Sequence, residues 1–402
     1  MSDKKLRVAI ITKGGLPVPN VSGGGVETLI TYLLKQNEIY KKMKITVFGI
    51  ENAEALLETK KYSQTTFVQL KKQDRTLFDR VRARIFKDFP LECPYSFTKV
   101  KKIIDKEHYD RILIENSPWQ FPYFSKKFGQ KVYLHLHNDW VNGDVEKCYQ
   151  KRYSKAINQC GGVWAISKYI ADRIKTVKGV NKEKIKVYYN ATDIRKYSRK
   201  IDANEKKQLK QKYAIKDDDF VVLYTGRICE EKGVLELVQA FKLLNDKKIK
   251  LLVVGSVSYG ETTNDDYTKK VKEEIGNDNR IIETGFVDYK DVYKYYSIAN
   301  IQVIPSLWQE PFGLVAIEGM ASKLAIISTN SGGLNEIFEH NSGIVINKES
   351  GIVEQLANSI MLLKEDKRLR ETIASNAYEL VNNKGKYDLE NYYQKLITLL
   401  EK

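Results

Sequence analysis

IQVIPSLWQEPFGLVAIEGMASKLAIIST, running from Ile301 to Thr329, packs two strand-like runs and the start of a helix into 29 residues. Ile301–Pro305 and Leu324–Ser328 are apolar almost throughout, which suits strands covered on both faces. The helix is expected to begin near Gly313, after a loop rich in turn residues. A strand, a helix and a second strand in this order form the unit of parallel α/β architecture.

The same alternation extends in both directions. Toward the N-terminus, strand-like runs fall at Val8–Ile11, Ile45–Phe48, Arg111–Ile114, Lys131–His137, Val163–Ser167 and Ile185–Tyr189. The second half adds Phe220–Thr225, Lys250–Val254, Ile281–Thr284 and Ile344–Ile346. The pattern plays twice, which predicts an α/β chain of two Rossmann-like, doubly wound domains. A length of 402 residues fits two cores better than one. The break is expected near Asn190–Lys212, where RKYSRKIDANEKKQLKQK offers little to bury. The expected domains are 1–195 and 196–380, followed by 381–402 as a C-terminal helix packing back toward the first domain. In that helix Leu389, Tyr392, Tyr393, Leu396 and Leu399 recur at helical spacing. Two such domains are expected to leave a cleft at the carboxyl ends of their strands.

Hydrophobic residues make up 42% of the chain and charged residues 29%, an ordinary globular balance. No apolar run reaches the ~20 residues that span a bilayer, and the N-terminus lacks a secretory h-region. Cys93, Cys148, Cys160 and Cys229 form no CxxC pair, the usage of a reducing compartment. A cytoplasmic protein is therefore expected. The net charge of +16 would suit nucleic acid, anionic membranes or phosphorylated small molecules. Abundant Lys, Ile, Asn and Tyr are also what an AT-rich genome encodes, so charge alone selects no partner.

Four stretches carry chemistry. Gly23, Gly24 and Gly25 precede a helix whose Val26, Leu29, Ile30, Leu33 and Leu34 form one apolar face. Such glycines let a phosphate or hydroxyl approach backbone N–H groups, although the spacing matches neither GxGxxG nor a Walker loop; alone, the loop reads as a mobile turn. Arg227 and Lys232 lie on the loop after the strand FVVLYT, where a planar fork and a mobile ammonium can hold a diphosphate without a metal. Glu310 and Glu318, eight residues apart, can each accept hydroxyl hydrogen bonds from a sugar or ribose. The N–H groups of Phe312, Gly313, Leu314 and Val315 would form an anion site at the helix start. In KVYLHLHNDW, His135 and His137 share one face of a strand. His135 reads as a core histidine and His137 as a site residue at the strand's end. A metal is not expected, because neither Cys nor a well-spaced third ligand accompanies the two. Asp217-Asp218-Asp219 precedes a strand and reads as a turn instead of a metal motif.

Together these motifs resemble the family 4 glycosyltransferases of the GT-B fold. EPFGLVAIE resembles that family's E-x7-E signature, GRICEEKG its G-R-x(3–4)-E-K-G loop, and Gly332-Gly333-Leu334-Asn335-Glu336-Ile337 its G-G-x-x-E-[ILV] element. LPVPNVSGGGVE is similar to its glycine-rich loop, and Asn190-Ala191-Thr192-Asp193 to its N-G-[IV]-D crossing without the glycine. The resemblance spans essentially the whole chain. It implies that Arg227 and Lys232 bind the donor diphosphate, Glu310 the sugar hydroxyls and Glu318 the ribose. The amides of Phe312 to Val315 would contact the sugar and distal phosphate, and Gly24 and Gly25 the phosphates or acceptor. His137 would contact the sugar and the reacting centre.

The implied reaction is metal-independent transfer, with retention, of a hexosyl or N-acetylhexosaminyl group from a UDP-linked donor. A lipid-linked surface glycan is the expected acceptor and a protein hydroxyl the alternative. Domain closure would exclude water and align the partners. The leaving phosphate is the expected base, since no carboxylate offers itself as nucleophile. Leu77, Val81, Ile85 and Phe89 recur every four residues among Arg75, Arg80, Arg82, Arg84 and Lys87, a basic stripe able to lie on an anionic membrane. Rival readings are a nucleotide-sugar binder without transfer and a basic nucleic-acid-binding protein. Against the second, the chain carries no helix-turn-helix, zinc-finger or RRM signature.

Overall fold

A computed structural model describes residues 5–72, 97–141, 144–256, 266–382 and 385–401. The basic stripe from Leu77 to Phe89 lies outside the described residues. The chain divides into two units, residues 1–190 with 389–402 and residues 191–388.

The first unit runs β1 (Leu6–Ile11), α1 (Gly25–Tyr40), β2 (Met43–Ile50), α2 (Ala53–Thr59), β3 (Thr65–Leu70), α3 (Phe97–Lys106), β4 (Arg111–Glu115), α4 (Phe121–Phe128), β5 (Val132–Leu136), α5 (Asp144–Gln159), β6 (Gly162–Ala165), α6 (Lys168–Lys175) and β7 (Ile185–Val187). Its seven strands are ordered β3-β2-β1-β4-β5-β6-β7 and pair in parallel. The second unit opens with α7 (Ile194–Ser198) and α8 (Ala203–Lys212). It continues β8 (Phe220–Thr225), α9 (Val234–Lys242), β9 (Ile249–Val254), α10 (Asp266–Ile275), β10 (Ile281–Glu283), α11 (Val292–Tyr296), β11 (Ile301–Ile304), α12 (Leu314–Ala321), β12 (Ala325–Thr329), β13 (Ile344–Ile346), α13 (Ile352–Glu365) and α14 (Lys367–Asn382). The chain then returns to the first unit as α15 (Leu389–Glu401). The second sheet, β10-β9-β8-β11-β12-β13, repeats the order of the first and is also parallel.

The central strands are apolar because both faces are covered: β8, β11 and β12 are buried at every position. Such a sheet has one switch point, where the chain stops adding strands on one side and begins on the other. Here it lies between β1 and β4 in the first unit and between β8 and β11 in the second. The loops leaving those four strands are where ligands are expected.

Two boundaries differ from the sequence expectation. The crossing falls at Asn190–Ala191, not at 195, because Ile194 and Tyr197 of α7 are buried in the second unit. The return falls at Leu389, not at 381, because α14 runs on to Asn382 with Leu380 and Val381 buried. α15 packs on the first unit, where Tyr393 stacks on Tyr40 at 5.4 Å and donates to Asn37 Oδ1 at 2.8 Å. Tyr392 stacks on Tyr188 at 4.5 Å and 9°. Among the described residues no helix is long and apolar enough to cross a membrane.

Candidate active site

In the second unit the loops leaving β8 and β11 press together. Gly233, at φ 67°, ends the short helical turn Glu230–Lys232, and a Cβ there would lie 2.0 Å from the Pro305 carbonyl oxygen. Only glycine allows that approach. It carries Lys232 to Glu310, with Nζ 2.5 Å from Oε1. Ser306 Oγ donates to the same carboxylate oxygen, and the Lys232 ammonium also stands over the Trp308 ring at 5.2 Å. The Gly332–Gly333 turn fixes the backbone of Glu310, whose carbonyl accepts the Gly333 N–H at 2.7 Å. Arg227 projects from the same loop half-exposed, its guanidinium partner among the described residues being Glu231 at a loose 3.8 Å.

α12 begins directly after Gly313, whose φ of 115° suits glycine, and no side chain caps it among the described residues. Phe312 is buried, while Gly313, Leu314 and Val315 are partly exposed. An uncapped first turn keeps N–H groups available to an anion. Further along α12, Glu318 is buried in a group of tyrosines. Tyr296 donates to Oε2 at 3.0 Å and Tyr289 to Oε1 at 3.3 Å. Burial raises the Glu318 pKa, and the tyrosine hydroxyls and Lys196 partly oppose the rise. Its carboxylate is therefore oriented before any ligand arrives.

In the first unit the glycine loop after β1 is tied down, contrary to the mobile turn that its composition alone suggests. Asn20 Oδ1 accepts the N–H groups of Ser22 and Gly23, while Asn20 Nδ2 donates to Thr28 on α1. Gly24 has φ 100°, and a Cβ there would lie 2.6 Å from Glu27 Oε2. Glu27 is buried in the first turn of α1. Burial first, then the charge of Glu115, push its pKa up to about 7, against its own backbone N–H and Lys13.

Across the switch point, β4 ends in Glu115. Its Oε2 lies 3.1 Å from His135 Nδ1 and 2.9 Å from His137 Nε2. Burial alone would raise the Glu115 pKa, but the two histidines outweigh it and hold the group at about 2. Burial first, then His135, lower His137 to about 4 against the pull of Glu115. Asn116, at φ 50°, orients the end of β5: its Oδ1 accepts the His137 N–H at 3.1 Å and Trp140 Nε1 at 3.2 Å.

The structure corrects one reading and extends another. A third group does accompany the two histidines, since the ligand atoms of Glu115, His135 and His137 lie within 4.8 Å of one another. Distance along the chain hid it, because Glu115 and His135 are register partners on adjacent strands. Glu27, Glu115 and the tyrosines around Glu318 carry no motif of their own; strand order brings them to the switch points. His135 is fully buried, as expected of a core residue. The Asp217–Asp219 stretch forms the turn before β8, where Asp219 accepts the Lys216 N–H at 2.7 Å.

Residues 23–196 match the family described as Glycosyltransferase Family 4, and residues 205–380 match Glycosyl transferases group 1. Spore coat protein SA of Bacillus subtilis is 24% identical over 99% of this chain and 100% of its own. The capsular polysaccharide biosynthesis glycosyltransferase CapM of Staphylococcus aureus is 32% identical over 55% of this chain and 56% of its own. The chain thus spans the full length of one curated relative but about half to three fifths of several others. HepE of Anabaena, solved in complex with UDP, shares the fold with a TM-score of 0.77 at 21% identity, over 98% of this chain and 100% of that one. With the two family matches in tandem over both parallel-sheet units, the chain belongs to the family 4 glycosyltransferases of the GT-B fold.

Proposed function

We propose that the chain transfers a hexosyl or N-acetylhexosaminyl group, with retention, from a UDP-linked donor to a hydroxyl of a lipid-linked glycan or a protein at the cytoplasmic face of the membrane. The observation that carries the donor half is the Lys232–Glu310 pair, 2.5 Å apart at the switch point of the second unit. A bound diphosphate would draw the ammonium toward itself and free Glu310 to accept hydroxyls of the transferred sugar. Arg227, half-exposed on the same loop, would take the outer phosphate, and the first-turn amides of α12 would share its charge. Together these cations and dipoles would stabilise charge growing on the leaving diphosphate without requiring a metal. Glu318 would receive the ribose hydroxyls. His137, Gly24 and Gly25 would serve the sugar and acceptor from the first unit.

The names of the relatives support a role in surface polysaccharide, and HepE with UDP supports a uridine donor. Thermal stabilisation by a panel of UDP-, GDP- and ADP-sugars, with and without EDTA, tests the reading. Selective stabilisation by a UDP-sugar that survives EDTA is expected. Stabilisation by no member, or one abolished by EDTA, overturns it and redirects attention to nucleic acid or a bound metal.

A further inference from the structure

We infer that Glu115 is a positioning residue that locks His135 and His137 in opposite tautomers, so that His137 offers its substrate an unprotonated Nδ1 and accepts a hydroxyl hydrogen. The inference rests on reading His137 as a substrate-facing group.

The geometry leaves few choices. His135, on β5, and His137, just past its end, are two residues apart with ring centroids 4.1 Å apart. Both turn a nitrogen to one oxygen, Oε2 of Glu115, at 3.1 Å from His135 Nδ1 and 2.9 Å from His137 Nε2. An ionised carboxylate only accepts, so each facing nitrogen must carry a hydrogen. His135 is then protonated on Nδ1 and His137 on Nε2. A neutral imidazole has one N–H, which leaves the lone pair of His137 on Nδ1, a nitrogen with no hydrogen-bond partner among the described residues. His135 Nε2 is buried and likewise has no partner. The backbone fixes the ring's base as well, because Asn116 holds the His137 N–H.

The consequence is chemical selectivity. An imidazolium, or a ring with hydrogen on its free nitrogen, would favour a phosphate or carbonyl oxygen. A neutral ring with a free lone pair favours a group that brings its own hydrogen, which is a sugar or acceptor hydroxyl. Glu115 would act through His137 without touching the substrate. It resembles in logic the carboxylates that set the tautomer of catalytic or metal-bound histidines in other proteins.

The test uses the whole protein labelled with 15N-histidine. The chain has four histidines, His108, His135, His137 and His340, so assignment by single His→Asn variants is tractable. Long-range 1H–15N correlation separates protonated from unprotonated ring nitrogens. The expected wild-type spectrum at about pH 7.5 shows His135 protonated only on Nδ1 and His137 only on Nε2. In Glu115→Leu, which removes the acceptor from both rings, loss of the pure Nε2–H pattern of His137 is expected. Glu115→Asp, which keeps an acceptor, should retain at least one locked ring. Wild-type His137 protonated on Nδ1, or on both nitrogens, overturns the proposal. So does an unchanged His137 pattern in a folded Glu115→Leu protein. A third overturning result is a purified protein carrying one zinc ion per chain that removes the hydrogens from His135 Nδ1 and His137 Nε2. None of these outcomes depends on a nucleotide sugar, so failure here is separable from failure of the donor-site reading, which UDP-sugar stabilisation reports independently.

Discussion

The Lys232 ammonium sits 2.5 Å from the Glu310 carboxylate, in the second unit, on loops that leave adjacent strands 78 residues apart in sequence. Each charge is a partner of the other, and Lys232 is about one-fifth exposed and Glu310 less. Lys232→Ala removes both the cation proposed for the diphosphate and the counter-charge of a nearly buried acid. Turnover is expected to fall about 10²–10³-fold, as when a group that stabilises transition-state charge is removed. Stability of the second unit should fall by about 1–3 kcal/mol for the unpaired carboxylate. Turnover on the identified donor and urea midpoints check the two effects separately. Near-normal turnover would remove Lys232 from the reaction.

Two glycines separate backbone need from ligand access. Gly233→Ala would set a methyl 2.0 Å from the Pro305 carbonyl at a positive φ, and a loss of about 3 kcal/mol or more is expected. Gly25→Ala meets open space at the start of α1, so stability should stay within about 0.5 kcal/mol or rise slightly. If Gly25→Ala nevertheless lowers turnover tenfold, the methyl is blocking substrate. If turnover is unchanged, Gly25 is not a contact.

Two buried groups of the first unit, Glu27 and His137, respond to pH in opposite directions. Glu27 has its pKa raised from 4.5 to about 7, so the folded chain takes up a proton before the unfolded chain does. Its contribution therefore favours folding progressively as pH falls from about 7 to 4.5. His137 is lowered from 6.5 to about 4, so the unfolded chain protonates first and stability is lost as pH falls through that window. Each shift is on the order of 3 kcal/mol, and in the shared range the two oppose one another. Between about pH 5 and 6.5 Glu27→Gln should lose more stability on acidification than wild type, and above neutrality it should be the more stable of the two. Urea midpoints at three pH values measure this. A Glu27→Gln protein with the same pH dependence as wild type would sink the pairing.

Tyr296 anchors Glu318 and also meets Thr225 at 2.8 Å. Tyr296→Phe leaves the buried carboxylate short of a donor. A cost of about 1–3 kcal/mol and a further rise in the Glu318 pKa are expected. If Glu318 binds ribose, UDP should stabilise the variant less than wild type in a thermal melt. Equal stabilisation would move ribose recognition elsewhere.

Local pattern carried the fold because parallel strands buried on both faces announce themselves. The one described strand not anticipated is β3, TTFVQL, an edge strand whose residues are mostly only partly buried and mostly not aliphatic. Lys232, Glu310 and the start of α12 were legible because each sits beside a glycine or turn that local sequence displays. Glu115 and Glu27 were not, because their setting is made by β4 lying between β1 and β5. The tyrosines around Glu318 were hidden in the same way, being drawn from α11 and its preceding loop.

The return of α15 to the first unit sets an order of assembly. Tyr188, which stacks on Tyr392, also packs on His135 at 5.0 Å. On the ribosome, β1 to β7 emerge long before the helix that packs on α1 and Tyr188. The second unit, continuous in sequence, can close by itself while the first still lacks a wall. A nascent chain stalled before Leu389 should therefore present a finished second unit beside an open first one, with the histidine pair loosely held. Completion of the first unit is in effect a late checkpoint, passed only once the intervening unit has been synthesised.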